Sequence, residues 1–243
     1  DVCSSDLNTN KLDAVLAGMC STEEREKVVD FTDPYFHSNQ VVLVSKDSEI
    51  ISPNDLDTKI DLDEIEHLAN DEKVVAIGEI GLDYYWNKDN KEKQKELFKA
   101  QIEIANRLNL PIVIHTREAV YDTLDILKNE VKSINKGIFH CCPLNVELIK
   151  EAVKLGYYIS FSGNITFKNS KNADKCILEV PIDKLLIETD SPYMSPEPNR
   201  GKRNDSRNVK YVAEKISIVK QMDIEQIAEI TYKNAEKIFK IEN

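Results

Sequence analysis

Five short apolar runs follow one another along the chain, and each is rich in β-branched and aromatic residues. They are VVAIGEI (74–80), PIVIH (111–115), GIFHC (137–141), YYISFS (157–162) and KLLIET (184–189). Runs of this length and composition predict β-strands. Because their apolar character is nearly continuous rather than alternating, we expect strands that are buried on both faces, as in a parallel sheet.

Amphipathic segments separate these runs, and the spacing of their apolar residues predicts helices. The predicted helices lie near residues 90–108, 118–131, 145–154, 172–179, 206–220 and 223–240. A regular alternation of strand and helix indicates an α/β fold, either a doubly wound sheet or a barrel. Five strand–helix units are recognisable, whereas a closed (β/α)8 barrel contains eight.

Four titratable side chains fall at or near the C-terminal ends of the predicted strands: Glu79, His115, His140 and Asp190. Parallel α/β sheets and barrels place their active sites at this end of the strands. Two carboxylates and two imidazoles together suit a divalent ion such as Mg²⁺, Mn²⁺ or Zn²⁺. Each residue taken singly has a structural alternative, because a strand-end histidine is often a hydrogen-bonded structural residue and a carboxylate often caps a helix.

Composition narrows the class of protein. The net charge of −11 argues against a protein that holds polyanions by bulk charge. It does not exclude a nuclease, since bound cations and a local basic patch can neutralise phosphates. No apolar stretch approaches the roughly 20 residues of a membrane span, and the first residues lack the features of a signal peptide. We therefore expect a cytoplasmic location.

The five cysteines are an odd number with no C-x-x-C spacing, which favours reduced thiols. Cys141 and Cys142 follow His140 directly, and this position raises the alternative of thiolate ligands. We interpret them instead as small buried side chains.

Five motifs, in their order and spacing, resemble the TatD-type metal-dependent DNases over residues from about 57 to 240. The motifs are GEIGLDYYW, PIVIHTREA, GIFHCC, YYISFSGNITFKN and LLIETDSPYMSPEPNRGKRND. The resemblance implies a TIM-like (β/α)8 barrel of the amidohydrolase type. It also implies up to two divalent metal ions (Mg, Mn or Zn), hydrolysis of phosphodiester bonds in DNA, and a cytoplasmic location. DNA or another phosphodiester is then the expected partner, with no membrane or protein partner inferred.

The same resemblance assigns roles residue by residue. Glu79 of GEIGLD would be a metal-bridging carboxylate, and His115 of IHTR and His140 of FHCC would each ligate an ion. Asp190 of ETDSP would bind metal and orient the attacking water. Glu79 and Asp190 are thus the expected catalytic residues, since a carboxylate beside the water can accept its proton.

Basic residues follow the last predicted strand, in the segment NRGKRNDSRNVK, and are expected to contact phosphate: Arg200, Lys202, Arg203, Arg207 and Lys210. The alternative is a solvated loop that runs into a helix. Arg117, two residues after His115, is a second candidate, and Arg117 and Arg203 are the substrate-binding residues we predict. Tyr84, Tyr85 and Trp86 could stack on a base, although packing against the rim of the barrel is the preferred interpretation.

The chain departs from the family pattern at its N-terminal end. The family begins with a strand that carries two metal-binding histidines in an H-x-H arrangement, and no H-x-H occurs in this sequence. The first three strands of the barrel also have no recognisable counterpart. We therefore expect residues 52–243 to form a truncated hydrolase barrel in which the first metal site is incomplete and activity is impaired.

Residues 1–51 are interpreted as a foreign, chimeric segment. The start, DVCSSDL (1–7), resembles a translated sequencing-library adapter. Residues 7–50, with KLDAVLAGM and VDFTDPYF, resemble a periplasmic amino-acid-binding protein of an ABC transporter, in which Thr22 and Arg25 would hold the ligand's carboxylate. Because the fragment is so short, we prefer the alternative that Thr22 and Arg25 lie on a solvent-exposed helix and bind no ligand.

Three functions remain open at this stage. The first is a metal-dependent hydrolase that cleaves phosphodiester bonds. The second is an amino-acid-binding fragment of a transporter protein. The third is a non-functional assembly chimera, whose unpaired strand edges would favour aggregation.

Overall fold

A computed structural model describes residues 58–85, 89–133 and 136–241, with side chains from residue 62 onwards. Three features of the sequence analysis lie outside these ranges: the adapter-like segment 1–7, the transporter-like segment 7–50, and Trp86.

The described residues contain five parallel strands in one sheet, and the strands lie side by side in chain order. They are β1 (Ile77–Asp83), β2 (Ile112–Arg117), β3 (Gly137–Phe139), β4 (Tyr158–Phe161) and β5 (Leu185–Ile187). All five predicted strands are confirmed. The third ends sooner than the apolar run GIFHC does, because the backbone of Cys141 turns to a φ of 38° and leaves the extended conformation.

Helices fill the connections between the strands, and each of the six predicted helices is present. The helices are α1 (Thr58–Ala69), α2 (Lys91–Leu108), α3 (Val120–Glu130), α4 (Val146–Lys154), α5 (Ala173–Glu179), α6 (Val209–Lys220) and α7 (Ile224–Phe239). Local chemistry marks their ends: the Asn145 side chain accepts a hydrogen bond from the N–H of Leu148 at the start of α4. Asp223 and Gln226 form a capping box at the start of α7. Helix α1 was not predicted.

The order of the strands in the sheet distinguishes between the two folds that the alternation of strands and helices left open. A doubly wound sheet reverses its strand order near the middle and covers both faces with helices. Within the described ranges the strand order does not reverse, and each strand is followed by a helix before the next parallel strand. This is the progression of a (β/α) barrel, so the predicted TIM-like α/β class is the correct one.

The two faces of the sheet differ in what they bury, because alternate residues of a strand point to opposite faces. One face carries Ile112, Ile114 and Phe139 into the main core beneath the helices. The opposite face holds a smaller apolar cluster at its N-terminal half: Ile138, Tyr158 and Leu186, packed with Ile238 of α7. On that second face, the polar residues described below follow at the C-terminal ends of the strands.

Among the helices of the described ranges, none is both long enough and apolar enough to cross a membrane. The cytoplasmic location inferred from the sequence stays a prediction.

Candidate metal centre

Glu79 and His115 meet because their strands are neighbours. The register of β1 and β2 pairs Gly81 with His115 and Ile80 with Ile114. In this arrangement, Oε1 of Glu79 lies 2.8 Å from Nδ1 of His115. Both side chains keep one third of their surface exposed, so the pair lies at the rim of the sheet and not inside the core.

His140 joins this pair from the next strand. It follows β3 directly, and its backbone N–H donates to the carbonyl of Ile114, which continues the pairing beyond the last strand residue. Its Nε2 lies 3.5 Å from the same Oε1 of Glu79. A single carboxylate oxygen therefore stands between two imidazoles whose ring centroids are 6.3 Å apart.

The chemistry and spacing of these three side chains fit a divalent ion. Glu79, His115 and His140 each offer one ligand atom, and the three atoms lie within 4.8 Å of one another. Ligands about 2.0–2.2 Å from a shared ion must approach one another to about this extent. One carboxylate oxygen and two imidazole nitrogens are donors that Zn²⁺ and Mn²⁺ both accept.

Asp190 lies at the edge of this cluster, beyond the end of β5. Its Oδ1 is 4.0 Å from Nε2 of His140, the nitrogen that also faces Glu79. The backbone of Asp190 has a φ of 56°, and its carbonyl accepts from the N–H of Tyr193. This turn brings the carboxylate towards His140 while the chain leaves the sheet. The four residues predicted from the sequence are thus brought together.

Two further carboxylates belong to the same cluster, and the sequence analysis missed both. Oδ2 of Asp83 lies 3.1 Å from Nε2 of His115, and Oε1 of Glu188 lies 2.8 Å from Nδ1 of His140. A signal for them was present, because Asp83 and Glu188 stand at even spacing from Glu79 and Asp190 in GEIGLD and ETD. Side chains at that spacing share one face of an extended chain.

Opposing effects set the pKa of Glu79 and His115. Burial raises the pKa of the Glu79 carboxyl, but the hydrogen bond with His115 and the nearby charge of His140 outweigh it, and the net pKa is lowered. For His115, burial lowers the pKa, whereas the hydrogen bond and charge of Glu79 and the contact with Asp83 raise it above its usual value. Each group therefore stabilises the charged form of the other.

His140 and Asp190 are shifted in the same direction for different reasons. Burial lowers the pKa of His140, but the hydrogen bond and charge of Glu188, with the charges of Glu79 and Asp190, raise it to about 9. Burial raises the pKa of the Asp190 carboxyl, and the neighbouring Glu188 and Glu79 raise it further against the opposing effect of His140. The neighbouring carboxylates contribute to both shifts, and their surplus of negative charge favours a cation in the cluster.

Of the two cysteines beside His140, the predicted burial is confirmed for Cys142, whereas Cys141 is only partly buried. Cys142 is completely buried. The Sγ of Cys141 lies 3.0 Å from Oγ of Ser162, and burial raises the pKa of this thiol to about 12. A thiol with so high a pKa remains protonated near neutral pH, so it is a poor metal ligand in this state.

The basic residues that follow β5 differ in the contacts that their guanidinium groups make. The Arg207 guanidinium forms two hydrogen bonds to the Asp205 carboxylate. Arg200 lies 3.7 Å above the Phe167 ring and donates to the carbonyl of Ser195. Arg203, in contrast, is exposed in the connection that follows Asp190.

Arg117 lies on the same strand face as His115, two residues further on. Its guanidinium carbon is 3.8 Å from the centre of the Tyr85 ring, which is 46% exposed. The neighbouring Tyr84 is buried, and its hydroxyl donates to Asp122. The packing interpretation is therefore confirmed for Tyr84, whereas base stacking by Tyr85 stays a prediction.

A model of the family described as TatD related DNase matches residues 6–240. Among curated proteins, the uncharacterized metal-dependent hydrolase YabD of Bacillus subtilis is 50% identical over 184 residues, which cover 76% of this chain and 72% of that protein. The uncharacterized metal-dependent hydrolase YcfH of Escherichia coli K12 is 39% identical over 212 residues, or 86% of this chain and 80% of that protein.

Solved structures agree with these matches. The crystal structure of YJJV, a TatD homologue from Escherichia coli K12, superposes with a TM-score of 0.71 at 26% identity, over 75% of this chain and 71% of that one. A TatD family hydrolase from Entamoeba histolytica gives a TM-score of 0.65 at 27% identity, over 76% and 70% of the two chains.

The match of the family model begins within the segment that the sequence analysis assigned to a foreign origin. It starts at residue 6 and so includes residues 7–50, which were likened to a transporter protein. The comparisons give no support to the amino-acid-binding alternative.

Proposed function

Because this chain belongs to the TatD-related DNase family, we propose that it is a divalent-metal-dependent phosphodiesterase that acts on DNA. The observation that carries the proposal is the convergence of Glu79, His115 and His140 at the C-terminal ends of three adjacent strands. Their donor atoms suit a borderline divalent ion, and its charge would offset the surplus of carboxylates around them.

Three side chains hold the metal in this proposal: Glu79 through a carboxylate oxygen, and His115 and His140 through the ring nitrogens that face it. A divalent ion in such a site supplies Lewis acidity to a phosphoryl oxygen and neutralises developing charge. Mg²⁺, Mn²⁺ and Zn²⁺ all remain candidates for the ion. The imidazole donors favour Mn²⁺ and Zn²⁺ over Mg²⁺.

Asp190 is the proposed general base. It lies beside the ligands without a hydrogen bond to either imidazole, since its closest approach to His140 is 4.0 Å. Burial also raises the pKa of this carboxyl. A carboxylate of raised pKa holds a proton more firmly than an exposed one, so it can take a proton from the attacking water. Glu79 is the second catalytic residue that we propose.

Arg117 and Arg203 are the proposed contacts to the substrate's phosphates. Arg117 lies on the face of His115, one pleat beyond it, and Arg203 is exposed in the connection after Asp190. A guanidinium group matches two phosphate oxygens and adds local positive charge to a chain of net charge −11. The exposed Tyr85 ring, held against Arg117, offers a surface on which a base can stack.

The sequence carries no H-x-H motif, so the proposed metal site rests on Glu79, His115 and His140. We expect cleavage supported by these ligands to be weak, because a two-metal phosphodiesterase uses its second ion to stabilise the leaving oxygen.

The test is a cleavage assay with a labelled DNA oligonucleotide, run with Mg²⁺, Mn²⁺ or Zn²⁺ and with EDTA. We expect metal-dependent cleavage that Glu79→Ala and Asp190→Ala abolish. Glu151→Ala is the matched control, because this carboxylate lies on α4 and pairs with Lys128, outside the cluster. Cleavage that persists in EDTA, or in both site variants, would contradict the proposal. A second version of the chain, with an H-x-H strand added, should cleave faster.

A further inference from the structure

The two imidazoles of the cluster face Glu79 through different ring nitrogens. His115 turns Nδ1 towards Glu79 and Nε2 towards Asp83. His140 turns Nε2 towards Glu79 and Nδ1 towards Glu188. Each ring is therefore held at both nitrogens by carboxylates. Both belong to β1 for His115, whereas His140 is held by Glu79 of β1 and by Glu188, directly after β5. The nitrogen that faces the shared Glu79 carboxylate differs between the two rings.

We propose that Asp83 and Glu188 are positioning residues that hold His115 and His140 in opposite tautomers. His115 then presents Nδ1 to the metal and His140 presents Nε2, while the other nitrogen of each ring donates its hydrogen to the positioning carboxylate. This inference rests on the proposed function only in that it takes Glu79, His115 and His140 as metal ligands.

Hydrogen bonds to its side chain and backbone hold Glu188 in the position that this role requires. Its Oε1 accepts from the N–H of Cys141 at 2.9 Å in addition to the contact with His140. Its Oε2 accepts from the hydroxyl of Ser160 at 2.6 Å. The N–H of Glu188 donates to the carbonyl of Phe161 in the neighbouring strand. Two donors thus hold the carboxylate, one on each oxygen, and the backbone bond to Phe161 holds the residue itself.

Asp83 is fixed by a different set of contacts. The Oδ1 of Asp83 accepts from the N–H of Tyr85 at 2.8 Å, which leaves Oδ2 for His115. The Gln94 side chain holds its backbone on both sides: it accepts from the Asp83 N–H and donates to the Asp83 carbonyl. The carboxylate therefore cannot swing away from His115 without breaking local hydrogen bonds.

These contacts have a chemical consequence for metal binding. A ring that donates one N–H to a carboxylate keeps a single orientation, and its other nitrogen becomes a stronger donor to the ion. The two ligands come from adjacent strands and meet the same Glu79 oxygen through different ring nitrogens, so each needs its own tautomer. Loss of either positioning carboxylate should weaken metal binding by about 10- to 100-fold.

The direct test uses the unaltered chain with ¹⁵N-labelled histidine and bound ¹¹³Cd²⁺. The sequence contains four histidines, so the spectrum is simple to assign with His115→Asn and His140→Asn. We expect coupling from cadmium to Nδ1 of His115 and to Nε2 of His140, with the opposite nitrogen protonated in each ring. Coupling through the same type of nitrogen in both rings, or no cadmium binding, would overturn the proposal.

A second measurement compares Zn²⁺ affinity by calorimetry in Glu188→Ala, Glu188→Gln, Asp83→Ala and Asp83→Asn. We expect the alanine variants to bind about 10- to 100-fold more weakly. The amide variants should recover part of that loss, because their carbonyl oxygens still accept the ring hydrogen. The matched control is Asp122→Asn, which removes the charge of a carboxylate bonded to Tyr84 and Lys95 without contact to either histidine.

The outcomes separate this inference from the proposed function. Wild-type affinity in both alanine variants would overturn the positioning role whatever the activity. Weakened affinity together with the expected nitrogen coupling would support it even if the chain cleaves no DNA. If an alanine variant fails to fold, as judged by its thermal melt, the amide variant and the spectrum of the unaltered chain still decide the matter.

Discussion

A Cβ atom on Gly81 would lie 1.9 Å from the carbonyl oxygen of His115. The absence of a side chain at Gly81 therefore lets β1 and β2 approach at the level where Glu79 and His115 meet. Gly81 also has a φ of 144°, a conformation that residues with a Cβ rarely adopt. The second glycine of GEIGLD thus serves the geometry of the site although it carries no functional group.

Gly81→Ala should destabilise the fold, because the added methyl group meets backbone that cannot move aside. We expect a loss of about 2–4 kcal/mol in the free energy of unfolding, measured in urea. Gly201→Ala is the control: it also has a positive φ, of 79°, but no atom within 4 Å of its Cβ position. It should cost about 1 kcal/mol. Equal losses in the two variants would show that contact with His115 is not the cause.

Tyr157→Phe should leave the fold as stable or raise its free energy of unfolding by about 1 kcal/mol. Tyr157 is 1% exposed, and within the described part of the chain its hydroxyl has no hydrogen-bond partner. The ring itself packs edge-on against Phe139 at 5.5 Å between centroids, and phenylalanine retains that contact. Tyr84→Phe is the contrasting variant, since it removes a bond to Asp122, and it should be destabilising. A large loss in Tyr157→Phe would reveal a partner for this hydroxyl.

The stability of the metal-free protein should depend on the protonation of His140. The pKa of this imidazole is raised from 6.5 to about 9 in the folded chain, chiefly by Glu188 acting against burial. A raised pKa means that the folded state binds the proton more tightly. The stabilisation is therefore complete below about pH 6.5 and disappears as the pH rises through about 9.

Urea unfolding in EDTA between pH 6 and pH 10 measures this effect. His140→Asn should flatten the decline in the free energy of unfolding over that interval. His67→Asn, on the exposed surface of α1, should leave the decline unchanged. An identical pH profile in the His140 variant would refute the assignment.

Asp190→Asn should lower kcat for DNA cleavage by about 10²- to 10⁴-fold, the usual contribution of a general base. The amide keeps the shape of the side chain but cannot accept a proton from water. Asp205→Asn serves as the control, because that carboxylate is partly exposed and bonded to Arg207. A change in KM alone would assign Asp190 to substrate binding instead.

Arg117→Ala and Arg203→Ala should each raise KM for DNA by about tenfold, with little change in kcat, if these residues contact phosphates. Each should also reduce the dependence of DNA affinity on salt concentration by about one unit of slope. Arg207→Ala is the matched control, because Asp205 already occupies its guanidinium. An unchanged salt slope in both variants would remove them from the substrate surface.

Alternation of apolar runs and amphipathic segments was sufficient to predict the five strands and six of the seven described helices. Helix α1 was missed because its first residues, from Thr58, overlap a stretch rich in Asp and Asn that reads as a loop. The alternation alone could not choose between a barrel and a doubly wound sheet, since that choice depends on which strands become neighbours. The resemblance of the motifs to a known family is what favoured the barrel.

The four site residues predicted from the sequence could be found because each lies at or near the end of an apolar run, and parallel strands end together at one edge of the sheet. Asp83 and Glu188 could not be assigned in the same way. Their importance depends on which ring nitrogen they face, and this is set by the register of strands far apart in sequence. Likewise, both Arg203 and Arg207 are exposed, and only the structure shows that Arg207 is already paired with Asp205.

Helix α7 packs Ile238 beneath the polar end of the sheet, against Ile138, Tyr158 and Leu186. Its Asn234 donates to the carbonyls of Ile182 and Leu185, at the start of β5. This helix is translated after all five strands, so the support beneath His140 and Glu188 emerges from the ribosome later than the strands that carry them. A nascent chain can pair its strands earlier, but the site can take its final form, and with it its full affinity for metal, only once α7 has docked.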